Sequence, residues 1–88
     1  MKILRCASAG TMESSDAYVE IEPGEGLKIT LESVVEGQFG NAIRTVIREV
    51  LAEHSVENAA VRVVDRGALE CVLRARVETA VMRGKGEA

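Results

Sequence analysis

The sequence predicts an α+β fold, a two-layer α/β sandwich with the order β-β-α-β-α, in which two helices pack on one face of a small mixed sheet. Three observations lead there. Residues 17–32 alternate apolar with polar, broken only by Pro23-Gly24-Glu25-Gly26. Two stretches, 34–53 and 68–83, carry apolar residues at steps of three and four. A β-branched run, Val61-Arg62-Val63-Val64, lies between them.

Taken in order, residues 1–14 show no clean period. They read as an extended or flexible arm, lightly tied down by Ile3 and Leu4. A single α/β domain is expected over 15–83, and a frayed tail over 84–88. Ala17, Val19 and Ile21 alternate with Tyr18, Glu20 and Glu22, which is a strand with one buried face. The Pro-Gly-Glu-Gly loop is turn chemistry, and Leu27, Ile29 and Leu31 then alternate with Lys28, Thr30 and Glu32. Two such runs around a short loop predict a β-hairpin, with Glu20 or Glu22 beside Lys28 on the wet face.

Ser33-Val34-Val35-Glu36 has the form of a capping box, so a helix should begin there. Its expected buried face is Val35, Phe39, Ile43, Val46, Ile47, Val50 and Leu51. Gly37 and Gly40 disfavour a helix by about 1 kcal/mol each, which points most simply to close backbone packing against the sheet, with a break or irregular first turn as the alternative. With Phe39 in the core, Phe39→Ala should cost roughly 3–5 kcal/mol. The helix should end near Glu53-His54-Ser55. A helix between two strands implies a crossover, so the strand around Val61–Val64 should run parallel to the one before it. After the turn Asp65-Arg66-Gly67, a second helix carries Leu69, Val72, Leu73, Val77, Ala80 and Val81 on one side. Glu70, Arg74 and Glu78 form a ladder on the other.

Composition excludes several kinds of work. A chain of 88 residues makes one modest core. Its aromatics are only Tyr18 and Phe39, so that core must be aliphatic, and base-stacking platforms for nucleic acid are absent. A net charge of −3 is wrong for binding a phosphate backbone. No apolar run has the length of a membrane span. Cys6 and Cys71 make no dense framework and are expected as reduced thiols. His54 stands alone at a helix end, so no nucleophile–histidine set can be built, and no Cys-x-x-Cys or phosphate-cradling glycine loop is present.

What remains is the stretch Ala9-Gly10-Thr11-Met12-Glu13-Ser14-Ser15-Asp16, too short and polar to be core. Residue types alone leave two readings open. In the first and plainer one, Ser14, Ser15 and Asp16 simply begin the first strand. Alternatively, Ser14 is an exposed hydroxyl that a separate enzyme modifies, with Gly10 lending backbone freedom and Glu13 and Asp16 offered to a basic partner surface.

This stretch resembles the prosthetic-group loop of the citrate lyase acyl carrier proteins, the γ subunits of that complex. The resemblance continues through Val34-Val35-Glu36-Gly37-Gln38-Phe39-Gly40, Ile43 to Leu51, and Gly67-Ala68-Leu69-Glu70-Cys71-Val72-Leu73-Arg74-Ala75-Arg76-Val77, so it covers nearly the whole chain. Met12 stands where the family has leucine. The resemblance implies a non-catalytic, cytoplasmic carrier. Its attachment residue is Ser14 and its cofactor is 2′-(5″-triphosphoribosyl)-3′-dephospho-CoA, joined through a phosphodiester and bearing acetyl and then citryl as a thioester. The implied partners are a prosthetic-group transferase, the α subunit that exchanges acetyl for citrate, and the β subunit that cleaves the citryl thioester to oxaloacetate. Nucleic acid and membrane are not among them. Arg74 and Arg76 are expected at solvent or a subunit contact rather than at the phosphates. A carrier of the malonate decarboxylase type and an unmodified α/β interaction module are the alternatives.

Overall fold

The computed structural model describes residues 2–34 and 36–86, without the side chain of Glu36. Alternation and helical periodicity produce six elements in chain order: β1 (Ala7–Gly10), β2 (Ala17–Pro23), β3 (Leu27–Ser33), α1 (Glu36–Glu53), β4 (Ala59–Asp65) and α2 (Glu70–Gly84). The sheet order is β1-β2-β4-β3. β4 runs parallel to β3, as the crossover through α1 requires, and antiparallel to β2. The α+β class, the mixed sheet and both helices are therefore as the sequence indicates.

The expected hairpin is not formed, because β4 lies between β2 and β3. The physical reason is apolarity on both faces. Val61 and Val63 point into the helix-covered core, while Val64, between Tyr18 and Glu32 on the opposite face, is only 1% exposed. A strand apolar on both sides belongs at the centre of a sheet. The Pro-Gly-Glu-Gly loop accordingly steps over the start of β4. Pro23 and Leu27 both register with Ala59, whose N–H donates to the Gly26 carbonyl at 2.9 Å. On the open face Glu20 therefore meets Arg62 of β4 at 2.8 Å, not Lys28.

Residues 2–14 are also more than an arm. Ala7–Gly10 pair antiparallel with β2, Ala9 opposite Val19. Of the two expected anchors, Ile3 is 3% exposed whereas Leu4 is exposed. The Leu4 and Arg5 N–H groups donate to the Gly84 carbonyl at 2.9 and 3.2 Å, and the Arg83 guanidinium donates to the Ser8 carbonyl at 2.8 Å. Gly84 is buried at the end of α2, where a Cβ would sit 3.2 Å from Ile3 Cγ2; the expected fraying does not begin there. Glu87 and Ala88 lie outside the described residues.

The core is aliphatic, with Val19, Ile21 and Val63 of the sheet facing Ile47 and Leu51 of α1 and Val77 of α2. Each such side chain stabilises the fold by about 1.5–3 kcal/mol relative to exposure. Phe39 is not among them. It is 54% exposed, and the adjacent Gly40 turns inward instead, followed by Val46, Ile47, Val50 and Leu51. The buried stripe is one residue out of phase with the expected one at its start. Gly37, expected at a close approach, has open space around it. Leu69 is likewise exposed, because it precedes the first turn of α2. Ser33 closes β3 and α1 begins at Glu36; Val35 and the Glu36 side chain of the expected capping box lie outside the described residues. Among the described residues, no helix is long and apolar enough to cross a membrane.

Candidate functional site: the β1–β2 loop

β1 and β2 are antiparallel neighbours, so residues 11–16 form the loop that joins them at one end of the sheet. At its apex Glu13–Asp16 form a β-turn, with the Asp16 N–H donating to the Glu13 carbonyl at 3.2 Å. Ser14 is the second residue of that turn and Ser15 the third, with φ 67° at Ser15. A left-handed conformation at a non-glycine residue costs roughly 1–2 kcal/mol, so surrounding contacts must hold it. They do. The Ser15 N–H donates to the Arg66 carbonyl at 2.8 Å, and the Arg66 N–H donates to the Asp16 carbonyl at 2.9 Å. Ser14 itself is exposed, and its hydroxyl has no hydrogen-bond partner among the described residues.

Asp16 is the hub beneath the turn. Its carboxylate accepts from the Thr11 hydroxyl at 2.7 Å and from the Ala17 N–H at 2.7 Å. Arg76, reaching over from α2, donates to both oxygens, Nε to Oδ1 at 2.9 Å and Nη2 to Oδ2 at 3.2 Å. The Arg76 hydrogen bonds, followed by those of Thr11 and Ala17, hold the Asp16 carboxyl far below the ordinary carboxylate range. Thr11 Oγ1 also accepts the Glu13 N–H at 3.2 Å. Gly10 enters the loop with φ +89°; a Cβ there would lie 1.8 Å from the Ala17 carbonyl oxygen and 3.1 Å from Arg76 Cδ. The missing side chain is what lets the strands close and the arginine stem pass.

A second acid fixes the neighbouring turn. Asp65 is 3% exposed at the end of β4 and accepts from Ser33 Oγ at 2.8 Å, the Ala68 N–H at 3.0 Å and the Gly67 N–H at 3.2 Å. It thereby holds Arg66 where that residue can bond to the serine turn. Beyond Gly67 and Ala68 lies an open, mainly apolar hollow of about 360 Å³, bordered by Phe39, Ile43 and Leu73. A larger hollow, about 540 Å³, sits on the open face of the sheet among Glu20, Lys28 and Arg62, and neither Ser14 nor Ser15 lines it.

With that geometry in place, comparison with known proteins decides the family. A family model described as malonate decarboxylase delta subunit (MdcD), of the acyl carrier type, matches residues 5–84. The citrate lyase acyl carrier protein of Escherichia fergusonii is 58% identical over 85 residues, covering 94% of this chain and 88% of that one. That of Haemophilus influenzae is 51% identical over 87 residues, covering 99% and 92%. The chain belongs to the citrate lyase acyl carrier protein family. It is thus a carrier, not a catalytic subunit. A chain in the crystal structure of a Pseudomonas malonate decarboxylase hetero-tetramer in complex with malonate has the same fold, with a TM-score of 0.81 at 22% identity over 94% of this chain and 87% of that one.

Several residues singled out from the sequence of this carrier stand elsewhere than expected. Asp16 is turned inward onto Arg76 rather than offered to a partner; Glu13 remains exposed. Arg76 pairs with Asp16 while its side chain stays 40% exposed, so it is at solvent as expected, and Arg74 is held by Glu49, Glu53 and Glu70. Glu70 to Arg74 is the expected step-of-four pair, but Glu78 faces His54 at 3.7 Å. Cys6 and Cys71 are free and exposed. Among the described residues no three potential metal ligands gather. Sequence reasoning missed the Asp16–Arg76 pair, because nothing in either residue's local context signals a partner so distant in the chain.

Proposed function

We propose that this chain is the acyl carrier subunit of citrate lyase and that Ser14 is its covalent attachment point for 2′-(5″-triphosphoribosyl)-3′-dephospho-CoA. One observation carries the proposal: a hydroxyl exposed at the apex of a held β-turn, with no hydrogen-bond partner among the described residues. The residues fit such a group. A phosphodiester needs a serine oxygen that a bulky nucleotide can approach in the open, and Ser14 offers one. Ser15 is also exposed, but its backbone is pinned to Arg66 in a left-handed conformation. When bound, the group supplies a terminal thiol on a long arm, on which acyl units are held as thioesters.

The chain's own part is mechanical. The aliphatic two-layer body gives a stiff base, and the β1–β2 loop projects the attachment point from its end. A tether from that point keeps its cargo at high effective concentration around the active sites of one complex. The partners are the transferase that loads the serine, the α subunit that exchanges acetyl for citrate and the β subunit that releases oxaloacetate, in the cytoplasm. Identities of 51% and 58% to citrate lyase carriers weigh against the malonate decarboxylase reading, whose structural neighbour is only 22% identical.

The test is reconstitution. Carrier loaded by the transferase, and then chemically acetylated on the thiol of its arm, is mixed with α and β subunits and given citrate or malonate. Oxaloacetate formed from citrate, and lost in Ser14→Ala, is the expected result. Carbon dioxide released from malonate with malonate decarboxylase subunits, and no citrate cleavage, would assign the cargo to the other family branch.

A further inference from the structure

We propose that Asp16 and Arg76 form a positioning device for Ser14: a clamp from α2 that holds the serine turn in one loading-competent shape. This rests on Ser14 being the attachment point and adds what presents it. A modification loop could be expected to be loose. This loop is instead tied at several points. The turn closes on itself from Asp16 to Glu13, is stapled on both sides to Arg66, and stands on a carboxylate that accepts from Thr11, Ala17 and Arg76.

The clamp has a rigid origin. Arg76 is flanked on α2 by Leu73, Val77 and Ala80, all buried, so its backbone cannot drift from the core. The two-pronged contact fixes the carboxylate in orientation as well as distance, which a single charge contact would not. Its stem passes through the space that Gly10 leaves empty, 3.1 Å from where a Cβ would be. Gly10, Asp16 and the distant Arg76 thus serve one geometry, whose product is a strained Ser15 and a projecting Ser14. Flexibility then belongs to the prosthetic arm beyond the serine, while the hydroxyl is presented to the transferase already placed. A misplacement of about 1 Å can cost roughly a hundredfold in a positioned reaction, so such a device is worth building.

The test uses full-length protein and purified transferase. Loading of Ser14 is followed by intact mass, with kcat and KM for the carrier measured separately, in wild type, Arg76→Ala, Asp16→Asn and the double variant. Arg62→Ala, which breaks the Glu20 pair at 2.8 Å on the open face, is the control. The expected result is a fall in kcat of roughly ten- to a hundredfold in either single variant, with KM changed little, since the body still docks. The double variant should be no slower than the slower single one, and Arg62→Ala should load like wild type. Multiplying effects in the double variant, or loading of Arg76→Ala at the wild-type kcat, would overturn the clamp. Amide exchange of unmodified protein gives a second readout: the Ser15 and Asp16 N–H groups should lose protection in Arg76→Ala while those of β4 keep it. Unchanged protection at Ser15 and Asp16 overturns the clamp whether or not Ser14 is loaded. Loading that persists in Ser14→Ala instead overturns the attachment point.

Discussion

Gly10→Ala should be among the most damaging single-methyl changes available to this chain, and its size can be worked from two features. The first is backbone conformation. Gly10 has φ +89°, a region that costs an L-residue roughly 1–2 kcal/mol. The second is a collision. The new Cβ would lie 1.8 Å from the carbonyl oxygen of Ala17, which belongs to the paired strand and cannot rotate away as a side chain would. Relieving it means opening the end of the β1–β2 ladder, at roughly the 1–3 kcal/mol typical of forced overpacking. The sum is about 2–5 kcal/mol, a large part of the ~5–15 kcal/mol that holds a small domain together. Gly26→Ala separates the two features, since Gly26 has φ +70° but nothing within 4 Å of its Cβ position. Urea melts of both variants should place Gly10→Ala below Gly26→Ala by about 1–3 kcal/mol. Equal losses would refute the collision, and with it the tight junction of strand end, loop and Arg76 on which the site's geometry depends.

Two further outcomes follow from the packing and the electrostatics. Phe39→Ala should cost less than about 1 kcal/mol, as befits an exposed ring, whereas Ile47→Ala, at a fully buried position, should cost about 2–5 kcal/mol; comparable urea midpoints for the two would mean that the face of α1 is misassigned. The Asp16 carboxyl, held down by Arg76, should show no titration by NMR as pH falls through its ordinary value of 3.8, and Arg76→Ala should bring its midpoint back up towards that value. Because the folded-state pKa is depressed, the clamp's contribution to stability is fully present above the unfolded carboxylate range and fades only as pH falls below it. A destabilisation by Arg76→Ala that differed between pH 7 and pH 5 would contradict that sign.

Local pattern carried much of this architecture. Period-two alternation located β2 and β3, steps of three and four located both helices, and a helix between two strands settled that β3 and β4 run parallel. Strand order was less legible. Alternation around a short Pro-Gly loop is the same whether the two runs pair directly or admit a third strand between them, and only Val64, apolar on the wrong side of an alternating run, hinted that β4 is central. β1 was invisible for another reason: Ala7-Ser8-Ala9-Gly10 is four small residues, and it becomes a strand because β2 and α2 supply its partners. Phe39 misled because aromatic residues are usually core, yet Gly40 beside it is the residue that faces inward. At the site, the loop itself was marked by composition and by resemblance. Its shape was not, since that depends on Arg76 and Arg66, contributed by α2 and by the turn after β4.

The central claim is that one hydroxyl of this chain bears the prosthetic group. Tandem mass spectrometry of the peptide spanning residues 9–16, from protein made together with the transferase, tests it most directly. The added nucleotide mass is expected on the fragment that contains Ser14 but not Ser15. The same mass on Ser15, or a wholly unmodified peptide beside a transferase shown to load another member of the family, would contradict it.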